Sequence, residues 1–521
     1  MNRDIFLQRL RDRREPWDIA VVGGGATGIG IAVDAASRGY SVVLVEQSDF
    51  GKGTSSRSTK LVHGGVRYLQ QGNISLVMEA LKERGLLLQN APHLVHDLPF
   101  VVPNYQWWEA PFYGIGLKVY DMLAGKYGFG RSKLLSAADV LERIPTLERE
   151  GLRGGVLYHD GQFDDSRLLV NLAQTAAEQG ACLLNHTRCT GLLKDADGYV
   201  NGLTFHDNET GQDGTLAARS VINATGPFCD DLRQKDEPAA SPMIAPSQGV
   251  HIVLPRQFLP RATAIMVPHT RDGRVMFAIP WNGHVVVGTT DTPISTISLE
   301  PKPMDQEIDF ILETAGGYLA QRPARADILS VFAGIRPLMK SGDASNTAAL
   351  SRDHAIQISK SGLLTITGGK WTTYRKMAED CVDHAIVLAR LTERPCVTRD
   401  LHVHGFHRQA SQFGALASYG SDAIGIDGLI RTQPDWARPL HESLPICGAQ
   451  IVWAARHEMA RTLDDVLARR TRALYLNAKA AIAMAPAVSA LMAAELKRDE
   501  AWRNRQLAEF EEIAAGFVVR L

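Results

Sequence analysis

Apolar and polar positions repeat with two different periods along this chain. Ile19 to Val22 is a short unbroken apolar run that stops at glycines, the pattern of a parallel strand buried on both faces. From Ala26 to Ser37 small and apolar residues recur at helical spacing, Gly39 ends them, and Ser41 to Val45 is a second buried run. Together they predict a βαβ unit almost at the start of the sequence. Residues 166–179, SRLLVNLAQTAAEQ, predict a helix with Ser166 as its N-cap. Cys182 to Leu184 and Tyr199 to Phe205 predict strands, and RSVINATGP at 219–227 predicts a strand entering a tight turn. The runs 250–254, 275–279 and 285–290 predict a mainly antiparallel sheet, and 363–367 a buried strand that leads through GGKWTTYRK into a helix. Between 86 and 135 the prolines 92, 99, 103 and 111 and an aromatic stretch from Tyr105 to Phe129 interrupt both periods. From about residue 400 alanine, leucine, arginine and glutamate dominate, strands fade, and helical periodicity persists to the end.

Composition narrows the class. A chain of 521 residues is too long for one ordinary core, so two or three domains are expected. A formal net charge of -1 argues against nucleic acid as the main partner. Six dispersed cysteines without a CxxC pair point to buried thiols in a reducing compartment, and no cluster has metal-ligand spacing, so no metal is expected. No run of about 18 apolar residues predicts a transmembrane helix. The opening MNRDIFLQRLRDRREPWD has no apolar signal core and predicts an amphipathic helix packed on the first domain, with membrane contact as the alternative.

Gly23, Gly25 and Gly28 satisfy G-x-G-x-x-G between the first strand and helix. The first allows the turn, the second lets a pyrophosphate approach the backbone, and the third lets helix pack on sheet. Glu46 ends the next strand, where a carboxylate accepts from a ribose diol. This is a dinucleotide site, and alone it does not separate NAD from FAD. Two distant segments favour FAD, an elongated ligand. NATGP, with Ala224 and Gly226, passes close to a cofactor at a strand end. TGGKWTT, with Gly368, Gly369, Thr372 and Thr373, opens a second helix N-terminus toward the negative charge of a reduced flavin.

Several further motifs appear in a fixed order: TSSRSTKLVHGGVRYL from Thr54, FDDSRLLV at 163–170, GVHIVLPR at 249–256, IPW at 279–281, VGTTD at 287–291, GIRPL at 334–338 and GGKWTTYRK at 368–376. With the fingerprint they cover most of residues 17–380, and the chain resembles the FAD-dependent glycerol-3-phosphate dehydrogenases within the D-amino-acid-oxidase-like flavoprotein group. DDVLARRTRALYLN at 464–477 is similar to that family's helical domain. Gln106 to Lys133 follows the family only loosely, and Arg57 stands where a small residue is expected.

The resemblance implies an α/β plus helical fold with a Rossmann-like FAD-binding domain, a mainly antiparallel cap domain for substrate, and an all-helical C-terminal domain. The expected boundaries are 1–80, 155–230 and 332–395 for the first, 81–154 and 231–331 for the second, and 396–521 for the third. It implies oxidation of sn-glycerol 3-phosphate to dihydroxyacetone phosphate by hydride transfer to non-covalent FAD, with electrons passed to a membrane quinone. The enzyme is then peripheral on the inner face of the cytoplasmic membrane, with no nucleic-acid partner and a homodimer among the assemblies open to it. The alternatives are an oxidase that passes electrons to O2 and makes H2O2, a related FAD amine or amino-acid oxidase, and a non-catalytic flavin-binding protein.

A dianionic substrate needs cations, preferably an arginine fork, and the C2 hydroxyl needs a base. Arg67 and Lys370, with Tyr68 as hydroxyl donor, are expected at the phosphate, and Arg336 at the reacting carbinol oxygens. His251 is the first candidate base and His63 the second, while a satisfied core histidine is the alternative for His251. Thr54, Ser55 and Lys60 are expected at the FAD phosphates and ribityl chain, and His63, Gly64 and Gly65 along the isoalloxazine. Asp164 and Asp165 are expected to cap the helix that follows them. Aromatics and cations mixed over 105–133 suit a lipid headgroup zone, and equally a core helix with snorkelling lysines.

Overall fold

The computed structural model describes residues 1–520 apart from 67, 68, 70–72, 269, 272 and 341–353. The strands Trp17–Val22 and Val42–Val45 run parallel, Ile19 opposite Val42 and Val22 opposite Val45, joined by the helix Ala26–Ser37. They sit inside a sheet whose main path runs His354–Ile358, Leu364–Gly368, Gln212–Asn223, Trp17–Val22, Val42–Val45, Cys182–Leu184. All pairings but the first are parallel. Ile19, Val21, Val42 and Leu44 are wholly buried, which is why these strands read as unbroken apolar runs. Chain order reverses at Trp17–Val22, and such a reversal leaves a crevice beyond the strands' carboxyl ends. The helix Ala26–Ser37 packs between Asp165–Glu178 and Tyr374–Leu388. Gly30 permits that approach, because a Cβ there would stand 2.9 Å from Tyr374 Cδ2.

The second sheet is antiparallel except where Ala264–Val267 runs parallel to Val95–Asn104. Its longest pairings join Val95–Asn104 to Gly154–Phe163 and Ile244–Pro255 to Ser330–Met339. Gly154–Phe163 and Ser330–Met339 belong to this sheet, although 155–163 and 332–339 fall inside the bounds expected for the FAD-binding domain.

The proline-rich stretch is more regular than its sequence suggests. It holds the end of the helix Ile74–Asn90, the strand Val95–Asn104 and the helix Glu109–Ala124. Pro111 lies in the first turn of that last helix, where the missing N–H has no intrahelical acceptor to lose. The parallel neighbour engages Val95–Asn104 only at Phe100 and Val101, so much of that edge tolerates residues without an amide donor.

The C-terminal part is helical apart from a small hairpin, Pro439–His441 with Leu444–Cys447. Its helix Ala478–Leu496 is long and apolar enough by length and composition to cross a membrane, a segment not anticipated from the sequence. Ala481, Met484, Val488 and Met492 on it are instead packed in the core shared with the cap sheet's Phe100, Tyr158 and Phe332. The amphipathic helix Arg3–Asp12 packs Phe6, Leu7 and Leu10 into the first domain, and Arg3 binds Asp207 at 2.7 Å. The helix Asp165–Glu178 is capped by Asp164, which accepts from the Arg167 amide at 2.9 Å, rather than by Ser166.

Candidate active site

A cavity of about 470 Å³ occupies the crevice at the carboxyl ends of the parallel strands. Gly23, Gly25, Glu46, Thr54, Ser55, Ala224, Gly226, Gly368, Gly369 and Lys370 all line it. Gly23 adopts φ +111°, and a Cβ there would stand 2.6 Å from Ala224 O, so glycine lets the first strand pass the NATGP turn. Gly28 lies behind the wall, where a Cβ would come within 1.9 Å of Gly23 O, the helix-to-strand packing role expected of the third glycine. Glu46 accepts from the Gly24 amide at 2.6 Å through Oε2 and from the Ser48 amide at 2.9 Å through Oε1. Burial raises its pKa against those two amides. Each oxygen keeps a second lone pair, as a diol-binding carboxylate requires.

Thr54 and Ser55 use their hydroxyls on the protein. Thr54 Oγ1 donates to Ile335 O at 2.6 Å, tying the loop to the cap, and Ser55 Oγ accepts from the Ala26 amide at 2.9 Å. Trp371 Nε1 donates to Ser55 O at 2.8 Å, closing the wall from the GGKWTT side. Thr372 Oγ1 accepts from the His63 amide at 3.1 Å, and Thr373 Oγ1 donates to Lys370 O at 3.3 Å, so both hydroxyls serve the backbone behind the cavity. The Gly64 amide donates to Tyr120 Oη at 2.8 Å, and Gly65 takes φ +81°. His63, Gly64 and Gly65 stand outside the cavity wall, and Arg67 and Tyr68 lie outside the described residues.

Lys60 is placed differently from its expected post at the cofactor phosphates. Its side chain is wholly buried, and Nζ donates to Asp165 Oδ2 at 2.7 Å and to Ser56 O at 2.8 Å. Asp165 therefore serves Lys60, while Asp164 does the capping. Arg57, unexplained in the sequence, reaches Glu300 at 2.6 Å and Ala333 O at 3.0 Å and so joins this loop to the cap.

On the cap, His251 and Arg336 come from paired strands. His251 is buried, its Nε2 lies 2.9 Å from Thr59 Oγ1, and its ring stacks on Phe332 at 4.9 Å. Burial first, then the positive charges of Lys60 and Arg336, hold its pKa well below the ordinary 6.5, so the imidazole is neutral. Arg336 lies across Gly249, where a Cβ would meet Nη2 at 2.4 Å. Its Nη2 donates to Thr289 Oγ1 and Thr290 O, both at 3.0 Å, and Nη1 stands 3.3 Å from Asp291. The adjacent Pro337 lines the cavity.

Some of these residues escaped the sequence. Asp291 sits in the VGTTD motif, whose acid beside two hydroxyls was the available signal. Arg188, Cys189, Asp231 and Lys235 also line the cavity, with no motif to mark them. Asp49, His186 and Asp465 have a metal-like spacing, yet Arg469 and Arg470 bind Asp49 at 2.6 Å each and Arg469 binds Asp465 at 2.9 Å, which neutralises the carboxylates.

A glycine-lined cavity with a carboxylate at one strand end and a two-glycine helix entry elsewhere suits an elongated dinucleotide such as FAD. Comparison with known proteins agrees. Residues 18–375 match the family model of FAD-dependent oxidoreductases, and 363–503 match the C-terminal domain of alpha-glycerophosphate oxidase. A mitochondrial glycerol-3-phosphate dehydrogenase of Arabidopsis thaliana is 42% identical, covering 96% of this chain and 86% of the relative. The human mitochondrial glycerol-3-phosphate dehydrogenase is 39% identical, covering 97% and 74%. Among solved structures, the glycerol-3-phosphate dehydrogenase of Bacillus halodurans complexed with FAD superposes with a TM-score of 0.81 at 31% identity, covering 100% of this chain and 98% of that one. The chain belongs to the FAD-dependent glycerol-3-phosphate dehydrogenases, and its cofactor is FAD.

Proposed function

We propose that the protein oxidises sn-glycerol 3-phosphate to dihydroxyacetone phosphate and passes the electrons to a quinone in the membrane whose cytoplasmic face it binds. The observation that carries this is that Arg336 and His251 come from paired cap strands, and that Pro337, next to Arg336, lines the cavity together with Lys370. Lys370 and Arg67 take the phosphate dianion, with Tyr68 donating its hydroxyl. Arg336, oriented by Thr289, Thr290 and Asp291, faces the carbinol oxygens where negative charge develops. His251 accepts the C2 hydroxyl proton, and His63 is the second candidate. His251 Nδ1 has no hydrogen-bond partner among the described residues. Its basicity is low without substrate, and a neighbouring phosphate dianion raises it when substrate binds. Bound FAD supplies the acceptor for the C2 hydride. The relatives named for this substrate, aligned over nearly the whole chain, support the same choice.

The membrane part rests on the helix Glu109–Ala124 and its flanks. Tyr113, Leu117 and Tyr120 face the core, while Trp107, Phe112, Ile115, Met122 and Leu134 are exposed. Lys118, Lys126, Arg131 and Lys133 are exposed among them. Aromatics and cations together suit the headgroup zone of a peripheral, monotopic protein.

Anaerobic addition of glycerol 3-phosphate to the FAD holoenzyme tests the chemistry: the flavin absorbance should bleach, and an unbleached flavin overturns the substrate. Reoxidation by a soluble quinone analogue without stoichiometric peroxide supports the quinone; peroxide at the turnover rate makes the protein an oxidase.

A further inference from the structure

Three motifs meet beside the proposed site, and of their residues only Thr54 and Ser55 line the cavity: TSSRSTK, FDDSR and RRTRALY of the helical domain. Lys60 Nζ stands 5.1 Å from the Phe332 ring centroid and 5.3 Å from those of Trp281 and Tyr475. Arg472 donates to Asp165 Oδ1 at 3.0 Å, to Ser166 Oγ at 2.7 Å and to Ser56 O at 3.0 Å. Asp165 Oδ2 also accepts from the Ser58 amide at 3.1 Å and from the Ser58 hydroxyl at 2.7 Å. One carboxylate thus serves two cations out of water. Apolar residues of similar volume often hold such a junction as well, so stability is a weak reason for these charges.

The residue between Ser58 and Lys60 is Thr59, whose hydroxyl meets His251 Nε2. Phe332, in cation–π range of Lys60, is the ring on which the imidazole stacks. We infer that Arg472, Asp165 and Lys60 are positioning residues that clamp Ser58–Lys60, so that Thr59 and Phe332 hold the His251 imidazole, and that they tie this hold to the docked helical domain. The catalytic consequence rests on His251 being the base proposed above.

The same groups act through charge. Lys60 and Arg336 face His251 as cations, and Thr59 faces it as a neutral hydroxyl. Asp165, Arg472 and Asp164 face Lys60. Burial, opposed by Asp165 and reinforced by Arg472, draws Lys60 down from 10.5 to about 7. Removing the Lys60 charge leaves Arg336 as the remaining cation on His251, so the imidazole becomes easier to protonate.

The test uses holoenzyme carrying 15N-histidine, with the His251 signals assigned by their loss in His251→Gln. In the wild type they should stay those of a neutral ring down to pH 5. In Lys60→Met their titration midpoint should rise by at least one pH unit. Thr59→Val should move the Nε2 shift and lower kcat about tenfold with FAD content unchanged. Arg472→Gln should lower kcat about tenfold, and by less than twofold in a His251→Gln background. Wild-type imidazole signals in both Lys60→Met and Thr59→Val, or an undiminished Arg472→Gln loss without His251, overturn the clamp. Full turnover by His251→Gln, with the imidazole still following Lys60, overturns the base and leaves the clamp standing. If Arg472→Gln does not fold, Thr59→Val and Lys60→Met decide the matter alone.

Discussion

Arg336 and Asp291 form an ion pair on the cap sheet, Nη1 to Oδ1 at 3.3 Å, with the aspartate side chain buried and the arginine side chain 22% exposed. Ser247 Oγ donates to the same Asp291 oxygen, so the acid is fixed from behind. Under the substrate role proposed for Arg336, an arginine held this way is aimed before substrate arrives, which lowers the entropic cost of gripping it. Asp291→Asn keeps the shape and removes the charge. We expect kcat/KM for glycerol 3-phosphate to fall 10- to 100-fold, about 1.4–2.7 kcal/mol of transition-state stabilisation, with FAD content unchanged. Steady-state kinetics beside the flavin absorbance ratio checks it, and a variant that loses FAD instead would move Asp291 to cofactor duty.

The fingerprint glycines should fail in different ways. At Gly28 a Cβ would stand 1.9 Å from the backbone oxygen of Gly23, which has no free rotamer to escape by. Gly28→Ala should therefore destabilise the first domain by roughly 3 kcal/mol or more and leave little soluble protein. At Gly25 a Cβ meets Ser55 Oγ at 3.2 Å and otherwise points into space the cofactor needs. Gly25→Ala should fold, and bind FAD roughly 10- to 100-fold more weakly, about 1–3 kcal/mol. Apoprotein reconstitution with FAD, followed by fluorescence quenching, separates the two.

His404 supplies a pH dependence of opposite sign to an acid's. Burial would lower its pKa, but Asp422 and Glu178 outweigh burial and raise it from 6.5 to about 9. The folded state therefore holds a proton that the unfolded state loses between about pH 6.5 and 9. The stabilisation is full below 6.5 and disappears as pH rises through 9. Glu178 is half exposed, so the effect is screened and amounts to no more than about 3 kcal/mol. Lys60, depressed to about 7, pushes the other way over the same range, so the quantity to measure is a difference. Wild type minus His404→Gln, from urea midpoints at pH 6, 7.5 and 9, should shrink steadily. A constant difference would mean that His404 is not charged in the folded protein.

The parts of this fold that the sequence displayed are local. The βαβ unit, the glycine spacing and the acid at Glu46 sit within thirty residues of one another, and each is set by backbone geometry that a single residue type satisfies. Lys60 shows the opposite case. Its partner Asp165 lies 105 positions further along the chain and Arg472, which shares that carboxylate, 412, and a lysine among serines in a flavoprotein motif looks like a phosphate ligand until that distance closes. Proline misled for a different reason: Pro99, Pro103 and Pro111 fell where a missing amide costs little, and only the strand pairing and the helix start disclose that. The same holds for Ser166, displaced as cap by Asp164 two residues earlier, because both types cap well and the sequence does not rank them.

The exposed aromatic face around Glu109–Ala124 yields a prediction that separates membrane docking from chemistry. Trp107 is 76% exposed, Ile115 67% and Phe112 51%, whereas Tyr113 and Leu117 on the same helix are buried. The helix therefore has a filled core side, and its outward apolar residues are surplus to folding. Each large apolar side chain moved out of water contributes about 1.5–3 kcal/mol when fully buried, and less in an interface. Replacing Trp107, Phe112 and Ile115 together by serine should weaken co-sedimentation with lipid vesicles by roughly 100-fold or more, while turnover with a water-soluble dye acceptor stays within twofold. Replacing Lys118, Lys126 and Lys133 by glutamine should act differently. It should reduce binding to anionic vesicles at low salt and change little on neutral ones, because those charges act only within a Debye length of about 8 Å at physiological salt. If the triple serine variant sediments with vesicles as the wild type does, the docking surface lies elsewhere on the molecule, and under the proposed function a quinone would reach the flavin from that other side.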